Sequence, residues 1–184
     1  MDNPQITAIR QQPLWTPAEC EAIVARSAGL PWQRARINAG DSAPDARDTE
    51  ECSLATAAHS VLGQQALHSL LGALQQANRR CWQAHLSGDL ELNLLRYTDG
   101  AHYRRWHSDL FEEACTRKVS FTVQLSPADS YLGGALEFVE SAAPASRQQG
   151  DLIVFPSFAV HRVAPVTEGV RIALVGWLHG PSFR

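Results

Sequence analysis

The texture of this chain changes at Gly88. Before it, apolar residues recur at helical spacing. After it come ELNLLRY, RKVSFTVQL, GGALEFV, DLIVFPSF, HRVAPV and VRIALVGWL, short β-rich runs separated by Gly, Pro, Asp or Ser. No long helical pattern lies between those runs, which argues against a parallel sheet of strand–helix–strand units. Helices first and strands afterwards define an α+β chain whose C-terminal half is a sandwich or small barrel. A length of 184 residues fits one domain, 1–184, with helical support over 1–88 and the β-core over 89–184. The helices are expected to cover one face of the β-core.

In the first half, Thr16-Pro17-Ala18-Glu19 has the form of a capping box with Pro at the first helical position. Cys20, Ile23 and Val24 then share one face, and Gly29 is the expected stop. Residues 31–37 read as a strand and 38–48 as a turn-rich loop. Val61, Leu62, Leu67, Leu70, Leu71 and Leu74 predict one long amphipathic helix from about Ser60 to His85, weakened by Gly63 and Gly72.

Composition removes several classes of function. A net charge of −3 and a pI near 6.1 argue against a nucleic-acid partner or an anionic membrane surface. No apolar run approaches the roughly 20 residues of a membrane span, and the first residues show no hydrophobic signal segment. Cys20, Cys52, Cys81 and Cys115 form no C-x-x-C pair, so they read as separate small thiols in a reducing compartment. The expected location is the cytoplasm.

Two polar sites interrupt the β half. In His107-Ser108-Asp109 the alternation of a strand sends imidazole and carboxylate to the same side, where both can meet one metal ion. Chance alone yields about a third of one such H-x-D pair in this composition, so a further ligand is required. His161, in another β-run, supplies it and completes a two-His, one-carboxylate set typical of non-haem Fe(II) oxygenases. Ligand type alone also permits zinc. Arg171, at the head of the apolar run VRIALVGWL, favours iron. A guanidinium there needs an anionic partner, either an internal carboxylate (Glu137, Glu168 or Asp151) or an external one. A 2-oxo diacid meets the second requirement, because it chelates iron at one end and offers a carboxylate at the other.

The ordered text RY-x-x-G-x-x-Y, H-x-D, VQLS, YLGGALEF, GDLIVFPS and HRVAPVTEGVRIALVGW covers residues 92–178. It resembles the iron- and 2-oxoglutarate-dependent dioxygenases of the prolyl-4-hydroxylase-like group, the bacterial PKHD-type hydroxylases above all. The resemblance implies a double-stranded β-helix (jelly-roll) core with N-terminal helices packed on one sheet. It implies His107, Asp109 and His161 as catalytic iron ligands, and Arg171 as the 2-oxoglutarate anchor. Tyr97 and Gln124 would assist in binding the cosubstrate. Fe(II), 2-oxoglutarate and O₂ follow as requirements, with ascorbate as an accessory reductant. The substrate would be a prolyl, peptide or small amino-acid-like molecule. Trp177, six residues after Arg171 and so on the same strand face, would wall the metal pocket. Tyr103 lies four residues before His107 where relatives have three, a change of strand face that removes it from the cosubstrate contacts. Gly133-Gly134 reads as a close turn near the pocket. Trp106 and Arg162 flank the ligands, with a solvated or salt-bridged face as the plain alternative. Two further readings stay open on the residues alone: a cupin-like metal-dependent isomerase or hydrolase, and a non-catalytic ligand-binding module.

Overall fold

A computed structural model of the chain describes residues 9–36, 45–110 and 115–182. The strands are β1 (Arg10–Pro13), β2 (Gln33–Arg34), β3 (Glu50–Ser53), β4 (Leu90–Tyr97), β5 (Tyr103–His107), β6 (Arg117–Gln124), β7 (Tyr131–Gly133), β8 (Leu136–Phe138), β9 (Asp151–Pro156), β10 (His161–Val163), β11 (Val166–Gly169) and β12 (Arg171–His179). The helices are α1 (Pro17–Ser27), α2 (Ala58–Leu62) and α3 (Gln64–Cys81).

Seven strands form one sheet in the order β1-β9-β6-β12-β4-β3-β2, with antiparallel neighbours throughout. Two smaller sheets, β5-β10-β8 and β11-β7, complete the β half. The period of two along each central strand builds a layer on either face. Leu92 and Leu94 of β4, Val119 and Val123 of β6, Leu152 and Val154 of β9, and Leu174 and Leu178 of β12 pack with Ile23, Leu62, Leu70 and Leu74 of the helices. The alternate residues Leu95, Tyr97, Ile153, Phe155 and Val175 pack instead with Leu136, Phe138, Val163 and Val166 of the small sheets. The helices therefore lie against one face of the large sheet, and the small sheets against the other. Both faces are covered, which explains why the central strands read as near-continuous apolar runs.

The capping box forms as expected. Thr16 Oγ1 accepts from the Glu19 N–H at 3.3 Å, and a Glu19 carboxylate oxygen accepts from the Thr16 N–H at 2.8 Å. The helix stops at Ser27, two residues before Gly29. The long helix expected over 60–85 is two helices. Gly63 joins them at φ +80°, a left-handed conformation that no right-handed helix contains, and the break lets both apolar faces reach the sheet. Gly72, by contrast, stays within α3. The second helix also ends four residues early. The Asn78 side chain accepts from Ala84 N–H and donates to Ala84 C=O, both at 2.9 Å, and so holds the outgoing chain in a turn. Of the strand expected over 31–37 only Gln33–Arg34 forms, and Ile37 lies outside the described residues. Most of the 38–48 loop lies outside them too, but residues 45–48 are described and Asp48 bridges to His102 beside β5. Among the described residues no helix is long and apolar enough to cross a membrane. All four cysteines are free thiols; Cys20, the deepest with Cys52, is pushed up to about 11 by burial and by neighbouring Glu19 and Glu21.

Candidate metal centre and cosubstrate pocket

His107 ends β5 and His161 begins β10, and the two are direct partners in the β5–β10 ladder. Their rings stand 4.3 Å apart between centroids. Each ring donates its Nδ1–H to the carbonyl two residues earlier, His107 to Arg105 at 2.9 Å and His161 to Ala159 at 3.0 Å. A carbonyl can only accept, so both rings are held as the tautomer whose Nε2 lone pair is free for a metal. Asp109 lies just past the strand, its backbone N–H donating to Ser157 C=O at 2.9 Å. One ligand atom from each of His107, Asp109 and His161 falls within 4.8 Å of the others.

The carboxylate is oriented as firmly as the imidazoles. Ser120 donates to Asp109 Oδ2 at 2.6 Å, which leaves Oδ1, 4.0 Å from His161 Nε2, directed at the shared point. Ser120 has one proton, so the Ser157 hydroxyl 2.9 Å away donates to it in turn. Burial pushes the Asp109 carboxyl up. The His161 ring, the Ser120 hydrogen bond, the nearby Trp177 N–H and His107 outweigh that and hold it below its ordinary range. The Trp177 N–H approaches without closing a full hydrogen bond. His107 is driven down to about 4 by burial and by repulsion from His161, against the opposing pull of the Arg105 carbonyl and Asp109. Two imidazoles and one carboxylate are a donor set suited to a divalent first-row metal, with room for further ligands.

The centre opens into a cavity of about 240 Å³ that also holds Tyr97, Arg171 and Trp177. Arg171 is 3% exposed, and its partner is Gln124, whose Oε1 accepts from Nη2 at 3.1 Å. Its guanidinium also lies over the Tyr97 ring, 5.0 Å from the centroid. No carboxylate pairs with it among the described residues. Glu137 is instead taken by Arg162 at 2.7 Å, and Asp151 accepts from Ser146. The second glycine of the Gly133-Gly134 turn sits at φ +63°, and a β-carbon there would lie 3.1 Å from Arg171 Cδ and 2.9 Å from a Val166 methyl. That close turn presses on the side chain of Arg171. The structure thus gathers all six residues singled out in the sequence: the three candidate ligands, with Arg171, Tyr97 and Gln124 around one buried cation. Arg162 stacks over Trp106, 4.5 Å from its ring, and with Glu137 forms a salt-bridged surface beside the site.

Tyr103 departs from expectation. The β5–β10 register shifts between His161 and Val163, so that Tyr103 pairs with Val163. The irregularity brings the Tyr103 ring onto His107 with centroids 3.6 Å apart and planes inclined by 13°. Spacing alone hid this contact: four residues along a straight strand keep the face but span about 13 Å, and the extra residues of the bulge bring the two rings together. Ser120 also escaped notice, although a signal existed. In VSFTVQ the apolar Val119, Phe121 and Val123 alternate with polar Ser120, Thr122 and Gln124, all of them buried. Polar alternates in a strand buried on both faces must point at something polar. Arg47, from the turn before β3, also lines the cavity and carries no such signal.

Comparison with known proteins agrees with this arrangement. Residues 92–179 match the 2OG-Fe(II) oxygenase superfamily. Among curated proteins, the chain is 42% identical over 91 residues to a PKHD-type hydroxylase of Parvibaculum lavamentivorans, covering 48% of this chain and 42% of that protein. It is 35% identical over 95 residues to a PKHD-type hydroxylase of Idiomarina loihiensis, covering 48% and 44%. The match thus spans less than half the length of these relatives. Among solved structures, a Pseudomonas putida prolyl-4-hydroxylase superposes with a TM-score of 0.73 at 24% identity, over 96% of this chain and 94% of that one. A Trichoplax adhaerens prolyl hydroxylase, solved with a hypoxia-inducible-factor peptide, gives 0.75 at 15% identity over 96% and 84%. At such identities the likeness establishes a shared fold. The resemblance read from the sequence thus has its counterpart in the family match over residues 92–179 and in the likeness to PKHD-type hydroxylases, while the solved prolyl-4-hydroxylase shares the fold.

Proposed function

We propose that this chain is an Fe(II)- and 2-oxoglutarate-dependent dioxygenase, coupling oxidative decarboxylation of 2-oxoglutarate to hydroxylation of a C–H bond in a prolyl, peptide or small amino-acid-like substrate. The observation that carries the reading is Arg171. A buried guanidinium whose hydrogen-bond partner is a neutral amide, in the same cavity as a two-His, one-carboxylate set, is a site lacking one anion. Burying such a charge without an anionic partner costs several kcal/mol, about what a bound carboxylate returns.

Within this reading His107, Asp109 and His161 hold the metal. Ser120 and Ser157 fix the free oxygen of Asp109, and the Arg105 and Ala159 carbonyls fix the ring tautomers. Arg171, backed by Gln124 and faced by Tyr97, takes the distal carboxylate of 2-oxoglutarate. When bound, iron with 2-oxoglutarate and O₂ supplies the oxidising power. The apolar walls, Leu136, Phe155 and Val163 among them, exclude water from the cosubstrate. No side-chain nucleophile is required. The same reading takes residues 1–184 as one cytoplasmic domain, its sheets forming a double-stranded β-helix, with ascorbate as accessory reductant.

Succinate formation from 2-oxoglutarate in the presence of Fe(II), O₂ and a screen of amino acids and proline-containing peptides tests the reading. Substrate-stimulated succinate is the expected result. Turnover that needs neither O₂ nor 2-oxoglutarate would instead indicate a cupin-like isomerase or hydrolase.

A further inference from the structure

Four arginines line this cavity, Arg36, Arg47, Arg117 and Arg171, and the oxygenase reading gives Arg47 no task. It enters from the turn ahead of β3, with 13% of its side chain exposed. Nη1 donates to the Arg36 carbonyl at 2.8 Å, and Nη2 reaches Glu51 Oε2 at 3.3 Å. Nε is fully buried and has no acceptor among the described residues. A buried N–H left without an acceptor costs about 1–3 kcal/mol, so native chains seldom keep one where nothing will occupy the space beside it.

The position of that N–H is specific. The guanidinium lies over the Tyr103 ring, 5.1 Å from its centroid, and Tyr103 in turn stacks on His107. Arg47, Tyr103 and His107 form one column, with a cation at its head and a candidate metal ligand at its foot. Arg171 is buried on β12 of the large sheet, whereas Arg47 comes from the turn that runs beside β5. Arg171 suits the cosubstrate, Arg117 is held by Glu91 at 2.9 Å and Arg36 is exposed, so Arg47, with its unpartnered Nε–H, is left for a different molecule.

We infer that Arg47 is a specificity-determining residue, and that its Nε–H binds a carbonyl-type oxygen of the molecule to be hydroxylated. That oxygen belongs to a free carboxylate or to a peptide amide. The inference rests on the oxygenase reading for the identity of the neighbouring ligands, but not for the existence of the donor.

Calorimetric titration tests it, using the full chain both metal-free and loaded anaerobically with Fe(II) and 2-oxoglutarate. The probes are the proteinogenic L-amino acids, their C-terminal amides and the matching amines that lack the carbonyl group. At least one acid or amide is expected to bind tenfold or more tightly than its amine. Binding by the acid alone assigns a free carboxylate; equal binding by the amide assigns a peptide carbonyl. In Arg47→Gln, and in Arg47→Lys, which keeps the cation and its stem over Tyr103, this discrimination is expected to fall within twofold while 2-oxoglutarate affinity is unchanged. Amines binding as well as acids and amides, discrimination that survives both substitutions, or no response to any probe would overturn the assignment. Discrimination without an Fe(II)–2-oxoglutarate complex would fault the oxygenase reading alone; the complex without discrimination would fault Arg47 alone.

Discussion

His107 and His161 face each other across neighbouring strands, and each spends its Nδ1–H on the carbonyl two residues before it. The repeated local turn fixes both tautomers without help from any distant side chain. The metal-facing nitrogens are therefore set by backbone, while the third ligand is set by side chains.

That difference makes Ser120 the sensitive point of the centre. Ser120→Ala removes the 2.6 Å hydrogen bond to Asp109 and leaves the carboxylate free to rotate. Metal affinity is expected to fall about 10–100-fold, the usual effect of deleting a group that orients a ligand, with the fold retained. Competition with a coloured chelator measures it; an unchanged affinity would show that the serine pair has no orienting role.

Arg171→Ala is expected to weaken 2-oxoglutarate binding by about a hundredfold, since a buried charge-assisted pair is worth about 2–5 kcal/mol. Metal affinity in the absence of 2-oxoglutarate should stay within a few-fold of the parent. Arg171→Lys keeps the charge but loses the planar fork, and should fall between the two.

Gly134→Ala acts on the same subsite from behind. The new β-carbon would meet Val166 and the Arg171 stem on a backbone at φ +63°. A loss of about 1–3 kcal/mol in stability is expected, with 2-oxoglutarate binding weakened several-fold and metal binding retained. Parallel loss of both affinities would mean that the change is not local.

Acid should destabilise the metal-free protein through His107. Its folded value lies near 4 against an ordinary 6.5, so between those limits the unfolded chain binds the extra proton. Stability therefore rises with pH across that window and is lost as pH falls from 6.5 towards 4. Asp109, shifted below 3.8, acts in the same sense but only at lower pH: the stability it adds is present above its unfolded value and lost beneath it. Urea midpoints at several pH values should show a shallower acid loss in His107→Gln than in the parent. Equal slopes would contradict the assignment.

The helix start at Thr16 offers a test remote from the site. Thr16→Ala is expected to cost about 1 kcal/mol by opening the capping box, read as a fall of roughly 2–4 °C in Tm with 2-oxoglutarate binding intact.

Much of this was legible in the order of residues. Strand alternation placed Arg171 and Trp177 on one face, and the helix-then-strand texture anticipated helices lying against one face of a sheet. The break at Gly63 was not legible, because a glycine inside a helical pattern leaves the period intact whether or not its φ turns positive. The Tyr103 stack depended on a bulge in the β5–β10 ladder, which local spacing does not encode. Arg47 was hidden for another reason: it sits in a polar turn, and only the tertiary fold shows that its guanidinium lies over Tyr103, which stacks on His107. Long-range contacts decide such positions, and period and composition do not contain them.

The most direct test of the central claim is anaerobic titration with Fe(II) and 2-oxoglutarate, followed by visible absorption. The expected result is the metal-to-ligand charge-transfer band of a 2-oxo acid chelated to iron, saturating at one equivalent. It should vanish in Asp109→Ala and need far more 2-oxoglutarate in Arg171→Ala. No band in the parent protein, or an undiminished band in both variants, would contradict the account.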